Sequence, residues 1–304
     1  MKTYCLKLKP LAPWATPWHA DTVFAALCWQ LLRVEGEEPL QHLLEAFRHG
    51  APPFLVSDVF PEKWFPRPLF AQTVALPHQN GKAKPPTWIS EDQFRSLLRG
   101  EGSILPSTRT EEPLFLSRRI HSSIHRVSGT TTGEGGLFEV EEWSLNPRVD
   151  PAPKALSVFI RTVDRIDHLV PLFRSLSCSG FGKERSAGLG AFEILADAEP
   201  CAWMDSLDGS NAFVSISHFV PATTDPTDGT WGLRIKYPKF SPEAPVANTF
   251  KGRLVMLRPG SAFRVSGTLR PFYGTVLKGL RPEFPESIQY AMAFAIPARW
   301  PEET

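Results

Sequence analysis

Cysteine is scarce in this sequence: the chain carries only Cys5, Cys28, Cys178 and Cys201, and no two approach C-x-x-C spacing. That spacing excludes a zinc knuckle and a vicinal redox pair, and leaves scattered thiols buried as small hydrophobes. Charge of one sign is not in excess either, since 33 basic residues stand against 32 acidic ones for a net charge of +1. A histone-like coat of positive charge is thereby excluded. A nucleic-acid groove is not, because binding follows local charge density rather than the sum. No apolar run reaches the length of a membrane span; the longest, Val23–Leu32, is interrupted by Gln30 and is about half as long as a span requires. The opening residues alternate lysines with apolar side chains and lack the apolar block of a signal peptide. A cytoplasmic protein with no membrane partner is expected.

Several catalytic signatures are missing too. There is no G-x-S-x-G elbow and no H-E-x-x-H. Asp58, Asp164 and Asp167 are isolated carboxylates and read as caps or turn residues.

What is present suits a folded α+β protein. Hydrophobic residues make up 42% and charged residues 21%, enough to bury a sizeable core. The thirty prolines fall singly or in pairs between apolar runs, which predicts many rigid loops rather than one disordered tract. Tyr4–Leu8 reads as a strand. Asp21 stands where a helix N-cap should, before Val23, Phe24, Leu27, Leu31 and Leu32 at helical spacing. A second helix carries Leu40, Leu43, Leu44 and Phe47, and Ala51–Pro68 reads as ordered coil. Ser90 should cap a third helix reaching Arg99. Ser117–Phe138 reads as a long loop or hairpin, loosened by Thr130–Thr132, Gly129, Gly133, Gly135 and Gly136. Leu156, Val158 and Ile160 alternate as in a strand, and Thr162 can cap a helix bearing Val163, Ile166, Leu169, Val170, Phe173 and Leu176. Ala191–Leu195 is the next strand. This order is compatible with a ferredoxin-like β-α-β-β-α-β domain enlarged by insertions, spanning 1–199. A smaller, strand-rich second domain spans 200–304.

Three segments carry chemistry. Gly180-Phe-Gly-Lys-Glu-Arg-Ser-Ala-Gly-Leu-Gly190 holds four glycines free to adopt positive φ, with Lys183, Arg185 and Ser186 among them. Its free amides can cradle phosphate oxygens; the alternative is a tight helix-to-strand connection. It is neither a Walker loop, because Glu184 follows Lys183, nor G-x-G-x-x-G. The second segment, Arg118-Arg-Ile-His-Ser-Ser-Ile-His-Arg126, concentrates Arg118, Arg119 and Arg126 with His121 and His125. The two histidines are four apart, yet no carboxylate or cysteine lies in register to complete a metal site. The third, Lys251–Arg281, contains seven cations, including Arg253, Arg264 and Arg270, and no acid. Interleaved aromatics there can stack on bases or fill a core.

These segments, in this order, resemble the RAMP superfamily of CRISPR proteins. Within it they look like the subunit of type III-A (Csm) complexes that caps the 5′ end of the guide RNA. His19-Ala-Asp-Thr-Val-Phe-Ala-Ala-Leu27 looks like the family's first-helix motif. Phe54-Leu-Val-Ser-Asp-Val-Phe-Pro61 with Phe65-Pro-Arg-Pro68 is similar to its S-D-x-F-P and P-[KR]-P pair. Ile120–Thr131 followed by Leu137-Phe138 resembles its N-x-I-x-R-x-x-G-T stretch, with Ser123 and His125 standing where acidic or amide residues are expected. The glycine-rich loop is the fourth match.

The resemblance implies two ferredoxin-like (RRM-like) domains in tandem, no catalysis, no cofactor and no metal. It implies a grip on the repeat-derived 5′ handle of the crRNA, docking onto the large polymerase-like subunit and a backbone RAMP subunit, and contact with target RNA only through the guide. Carried over by position, Gly180, Gly182, Lys183, Arg185, Ser186, Gly188 and Gly190 would touch RNA. Arg118, Arg119, His125 and Arg126 would lie on a hairpin reaching RNA or a neighbouring subunit. Two alternatives stay open: a metal-independent endonuclease of the same superfamily using His121 or His125, and an RNA-independent scaffold.

Overall fold

The computed structural model describes residues 1–71, 85–104, 112–131, 136–164, 166–241, 244 and 246–301. Thr132, Gly133 and Gly135 of the expected hairpin tip lie outside these residues. Strand β1 (Lys2–Pro10) leads through a loop rich in tryptophan and proline into α1 (Ala20–Glu35) and α2 (Glu37–Arg48). Next come β2 (Phe54–Pro61), β3 (Trp64–Pro66), β4 (Trp88–Ser90) and α3 (Glu91–Leu98). A long hairpin of β5 (Leu114–Ser122) and β6 (Leu137–Leu145) precedes β7 (Leu156–Thr162), α4 (Val170–Ser179) and β8 (Phe192–Ile194).

The central sheet has the order β2-β7-β1-β8, with every neighbouring pair antiparallel. With α1 between β1 and β2 and α4 between β7 and β8, this is ferredoxin-like connectivity, as expected for the first half. All seven residues of β7 are buried, so both faces of the sheet are covered. On one face α1 packs against α4 and β2. On the other, Phe159 lies beside Phe65.

The second half comprises β9 (Glu199–Pro200), β10 (Ala212–Ser215), β11 (Gly229–Thr230), β12 (Leu233–Lys236), β13 (Leu254–Leu257), β14 (Ala262–Arg264), β15 (Tyr273–Lys278), β16 (Ile288–Ala293) and β17 (Ala295–Ala298). They build a sheet of order β11-β14-β10-β17 and the ribbons β12–β13 and β15–β16, while β9 joins β1. Among the described residues no α-helix follows Ser179, so the second half lacks the helices of a ferredoxin-like unit. Gly252, Gly260, Gly267, Pro271, Gly274 and Gly279 interrupt the chain too often for a helical stripe to develop. The two halves share one core. Tyr290 of β16 stacks on Phe24 of α1, with centroids 4.8 Å apart, and its hydroxyl accepts from the Val56 amide.

Three local readings change in the structure. Ala51–Pro68 is not coil, because its apolar run forms the fully buried β2 and β3. Asp21 lies inside α1; His19 holds the N-cap position, and Asp58 of β2 accepts from the Ala20 amide at 2.8 Å. Thr162 ends β7, and α4 begins only at Val170. Ser90 does cap α3, in a reciprocal capping box with Gln93.

Candidate nucleic-acid interface

The glycine-rich loop connects α4 to β8, and Gly180, Gly182, Gly188 and Gly190 all take positive φ, at 72°, 87°, 90° and 71°. Packing forbids a side chain at two of them. A Cβ on Gly190 would stand 2.0 Å from the Phe181 carbonyl oxygen, and one on Gly182 would stand 2.5 Å from Thr16 Cβ. At Gly188 a Cβ would meet nothing within 4 Å. The loop is pinned at its base: Phe181 N–H donates to the Gly190 carbonyl, Gly190 N–H to that of Pro13, and Lys183 N–H to Thr16 Oγ1. Phe181 and Leu189 point inward, while Lys183, Ser186 and Gly188 are exposed and Arg185 is half-buried.

The basic segment forms β5 and its turn, but the charges of Arg118 and Arg119 are not free. Acids on β6 face it: Arg118 pairs with its register partner Glu141 at 3.3 Å, and Arg119, which lies opposite Val140, reaches diagonally to the buried Glu142 at 3.5 Å. His121 also approaches Glu142 and stacks on Phe138. His125 Nδ1 contacts Ser128 Oγ, and Arg126 is exposed in the turn. His121 and His125 therefore have separate partners and do not form an acid–base pair. The middle of the hairpin rests on the glycine loop, because Val140 clusters with Leu189 and Ala15.

The third segment is dispersed. Arg270 pairs with Asp225 and lies over Tyr273, while Arg264 pairs with Asp228 at 3.8 Å and lies over Trp300. These acids come from outside Lys251–Arg281, which its acid-free composition concealed. Arg253 is exposed beside β13.

Sequence reasoning missed the cavity next to the loop. It encloses about 830 Å³ and is lined by Trp14, Trp18, Trp88 and Trp143 together with Arg67, Arg234 and Arg258. Its wall is the β1–α1 connection: Trp14 exchanges two backbone hydrogen bonds with Trp143 of β6, and Trp18 stacks on Phe181. One short loop thus joins the glycine loop, the hairpin and the cavity. Four tryptophans at one cavity of a protein holding nine is a legible signal only once the loops are placed. Planar aromatics beside guanidinium groups can stack on bases and meet phosphates.

At the cavity's inner end lie His19, Asp58 and His218. Asp58 accepts from the amides of Ala20 and His218 and, at 2.6 Å, from His218 Nδ1. Burial pushes the Asp58 carboxyl up, but the His218 ring, His19 and the Ala20 amide outweigh it and hold the group at about 2. Burial brings His19 down to about 3, with Asp58 opposing and His218 and Lys236 adding to the fall. The three side chains gather as metal ligands can. However, the Lys236 ammonium can only donate, so His19 Nδ1, 3.2 Å away, accepts from it and the proton sits on Nε2. Hydrogen bonds account for the cluster: Lys236 bridges His19 and Asp21, His218 is held by Asp58, and the two imidazole rings meet at a tilt with centroids 4.2 Å apart.

No family model and no curated protein matches the sequence. Solved structures match across its full length. A chain of the Csm1–Csm4 cassette in complex with AMPPNP superposes with a TM-score of 0.59 at 18% identity, covering 100% of both chains. The same cassette with cA4 gives 0.57 at 18%, also covering 100% of both. A chain of the Csm3–Csm4 subcomplex of the type III-A CRISPR-Cas interference complex gives 0.59 at 14%, covering 98% of this chain and 99% of the other. At these identities the likeness is one of fold.

Proposed function

We propose that the chain is a non-catalytic crRNA-binding subunit of a type III-A CRISPR effector complex. It holds the repeat-derived 5′ handle against the glycine-rich loop and in the adjoining cavity. The observation carrying this reading is the junction at residues 13–19, which holds the glycine-rich loop on one side and, on the other, walls a cavity lined by four tryptophans and three arginines. Single-stranded RNA is held by such amides, cations and aromatic faces, without a fixed catalytic group. The shared fold supports the same reading, since Csm4 is the component named in both kinds of matching assembly.

Docking onto a large polymerase-like subunit and a backbone RAMP subunit belongs to the proposal. It is supported by an exposed apolar stripe of Leu233 and Ile235 on β12 with Trp231 and Tyr237 flanking the strand, all alternate residues in sequence. Target RNA is met through the guide. The test is binding of handle RNA by the purified chain at several salt concentrations, in chelator. Tight binding without cleavage is expected; site-specific cleavage would favour the endonuclease, and no binding the scaffold.

A further inference from the structure

Cys5 and Cys201 are far apart in sequence and adjacent in space. Cys5 lies on β1, opposite Glu199 of β9 in antiparallel register. Cys201 follows two residues later on the same face, and its amide donates to the Thr3 carbonyl at 2.8 Å. Both side chains line one cavity of about 270 Å³, together with Lys7, Glu62, Arg95 and Trp203, and the two thiols are within hydrogen-bonding reach. Cys5 is buried and Cys201 partly exposed. The other two thiols sit elsewhere, Cys28 on α1 and Cys178 exposed on α4.

We infer that Cys5 and Cys201 form a redox-responsive dithiol that closes to a disulfide, tying the first strand to the entrance of the second half. The two positions are chemically unequal. The hydrogen bond from Cys5, with help from Arg95, lowers the Cys201 thiol, whereas the same contact and burial raise that of Cys5. Cys201, the partly exposed thiol that a dissolved oxidant reaches first, is the attacking thiolate, and the buried Cys5 is the resolving thiol. The oxidant is a low-molecular-weight disulfide such as oxidised glutathione. Cys201 Sγ⁻ attacks one of its sulfurs, forming a mixed disulfide and releasing one glutathione thiolate. Cys5 Sγ, giving its proton to a leaving thiolate, then attacks Cys201 Sγ and expels the second glutathione. Two protein thiols are oxidised, and one glutathione disulfide is reduced to two glutathiones.

The bond would reinforce a joint already held by Asp205, which accepts from the Thr3 amide and hydroxyl and pairs with Arg161. This inference does not depend on RNA binding. The full chain would be treated with oxidised glutathione at pH 8, its remaining thiols alkylated, and the unreduced digest mapped by mass spectrometry. The expected result is a linked Cys5–Cys201 peptide, two alkylatable thiols left of four, and a Tm higher by about 5 °C or more than with dithiothreitol. Cys201→Ser should abolish both effects, and Cys178→Ser neither. Glutathione retained on Cys201, modification of Cys178 alone, or four free thiols would each overturn it. Since the wild-type map decides the matter, failure of a variant to fold leaves the test intact.

Discussion

Trp18 of the β1–α1 loop lies flat on Phe181 of the glycine-rich loop, with ring centroids 3.8 Å apart and planes 18° from parallel. One face of the indole is thus spent on fixing the loop, while the residue also lines the cavity. Loop shape and cavity shape are consequently coupled through a single side chain. A displaced Phe181 would move the cavity wall even though no cavity residue had changed.

That coupling separates the four glycines by function. Gly190→Ala drives a methyl group into the Phe181 carbonyl, a backbone atom that cannot rotate away. Its cost should be on the order of 3 kcal/mol or more, with Tm and handle binding falling together. Gly188→Ala meets open space and carries only the strain of its φ of 90°, about 1–2 kcal/mol. It should melt within a few degrees of wild type. A melt and an RNA titration on each protein check this, and equal Tm losses would show that packing does not distinguish the sites.

The cations of the cavity and of the glycine-rich loop are expected to act on all RNA sequences alike. Replacing Arg67, Arg258 or Lys183 by alanine should lower the log–log salt dependence of binding by about 0.7 for each phosphate that the side chain had neutralised. Arg270→Ala should leave the slope unchanged, because Arg270 is already paired with Asp225. An unchanged slope for all three would mean that they do not meet phosphate.

Assembly should depend on the outer face of β12. Leu233 and Ile235 are 64% and 58% exposed, so charge there disturbs no core. The double variant Leu233→Glu, Ile235→Glu should keep its Tm within about 1 °C, since exposed substitutions stay near ±0.5 kcal/mol. It should nevertheless fail to co-purify with at least one of the two proposed partner subunits. Retention of both would remove this face from the docking reading.

The first half was legible in sequence because its periodicities are long and its turns explicit, as with Leu156-Val158-Ile160 or the Ser90 capping box. β2 was misread because Phe54–Pro61 is buried on both sides and shows no alternation. The cavity was invisible for another reason: Arg67, Trp88, Trp143, Arg234 and Arg258 belong to five separate stretches of chain and meet only through tertiary packing. Likewise, the acids that pair with Arg118, Arg119, Arg264 and Arg270 lie outside the segments that made those arginines look free.

The His19–Asp58–His218 cluster also sets a pH dependence whose sign follows from its members. His19 is held at about 3 in the folded chain, chiefly by burial, against about 6.5 when unfolded. Between these values the unfolded state binds the proton and the native state does not, so stability falls as pH drops from about 6.5 toward 3. The limiting slope is one proton, or about 1.4 kcal/mol per pH unit. Asp58 acts lower: its pKa of about 2 stabilises the fold above roughly 4, and that contribution is lost as pH falls through 2. The window from pH 6.5 to 4.5 therefore reports on His19 with Asp58 still charged. Urea unfolding of wild type and His19→Gln at half-unit steps across it should give diverging curves, the variant being flatter by close to one proton. Parallel curves would mean that His19 takes up a proton in the folded protein, and that its burial does not hold it neutral.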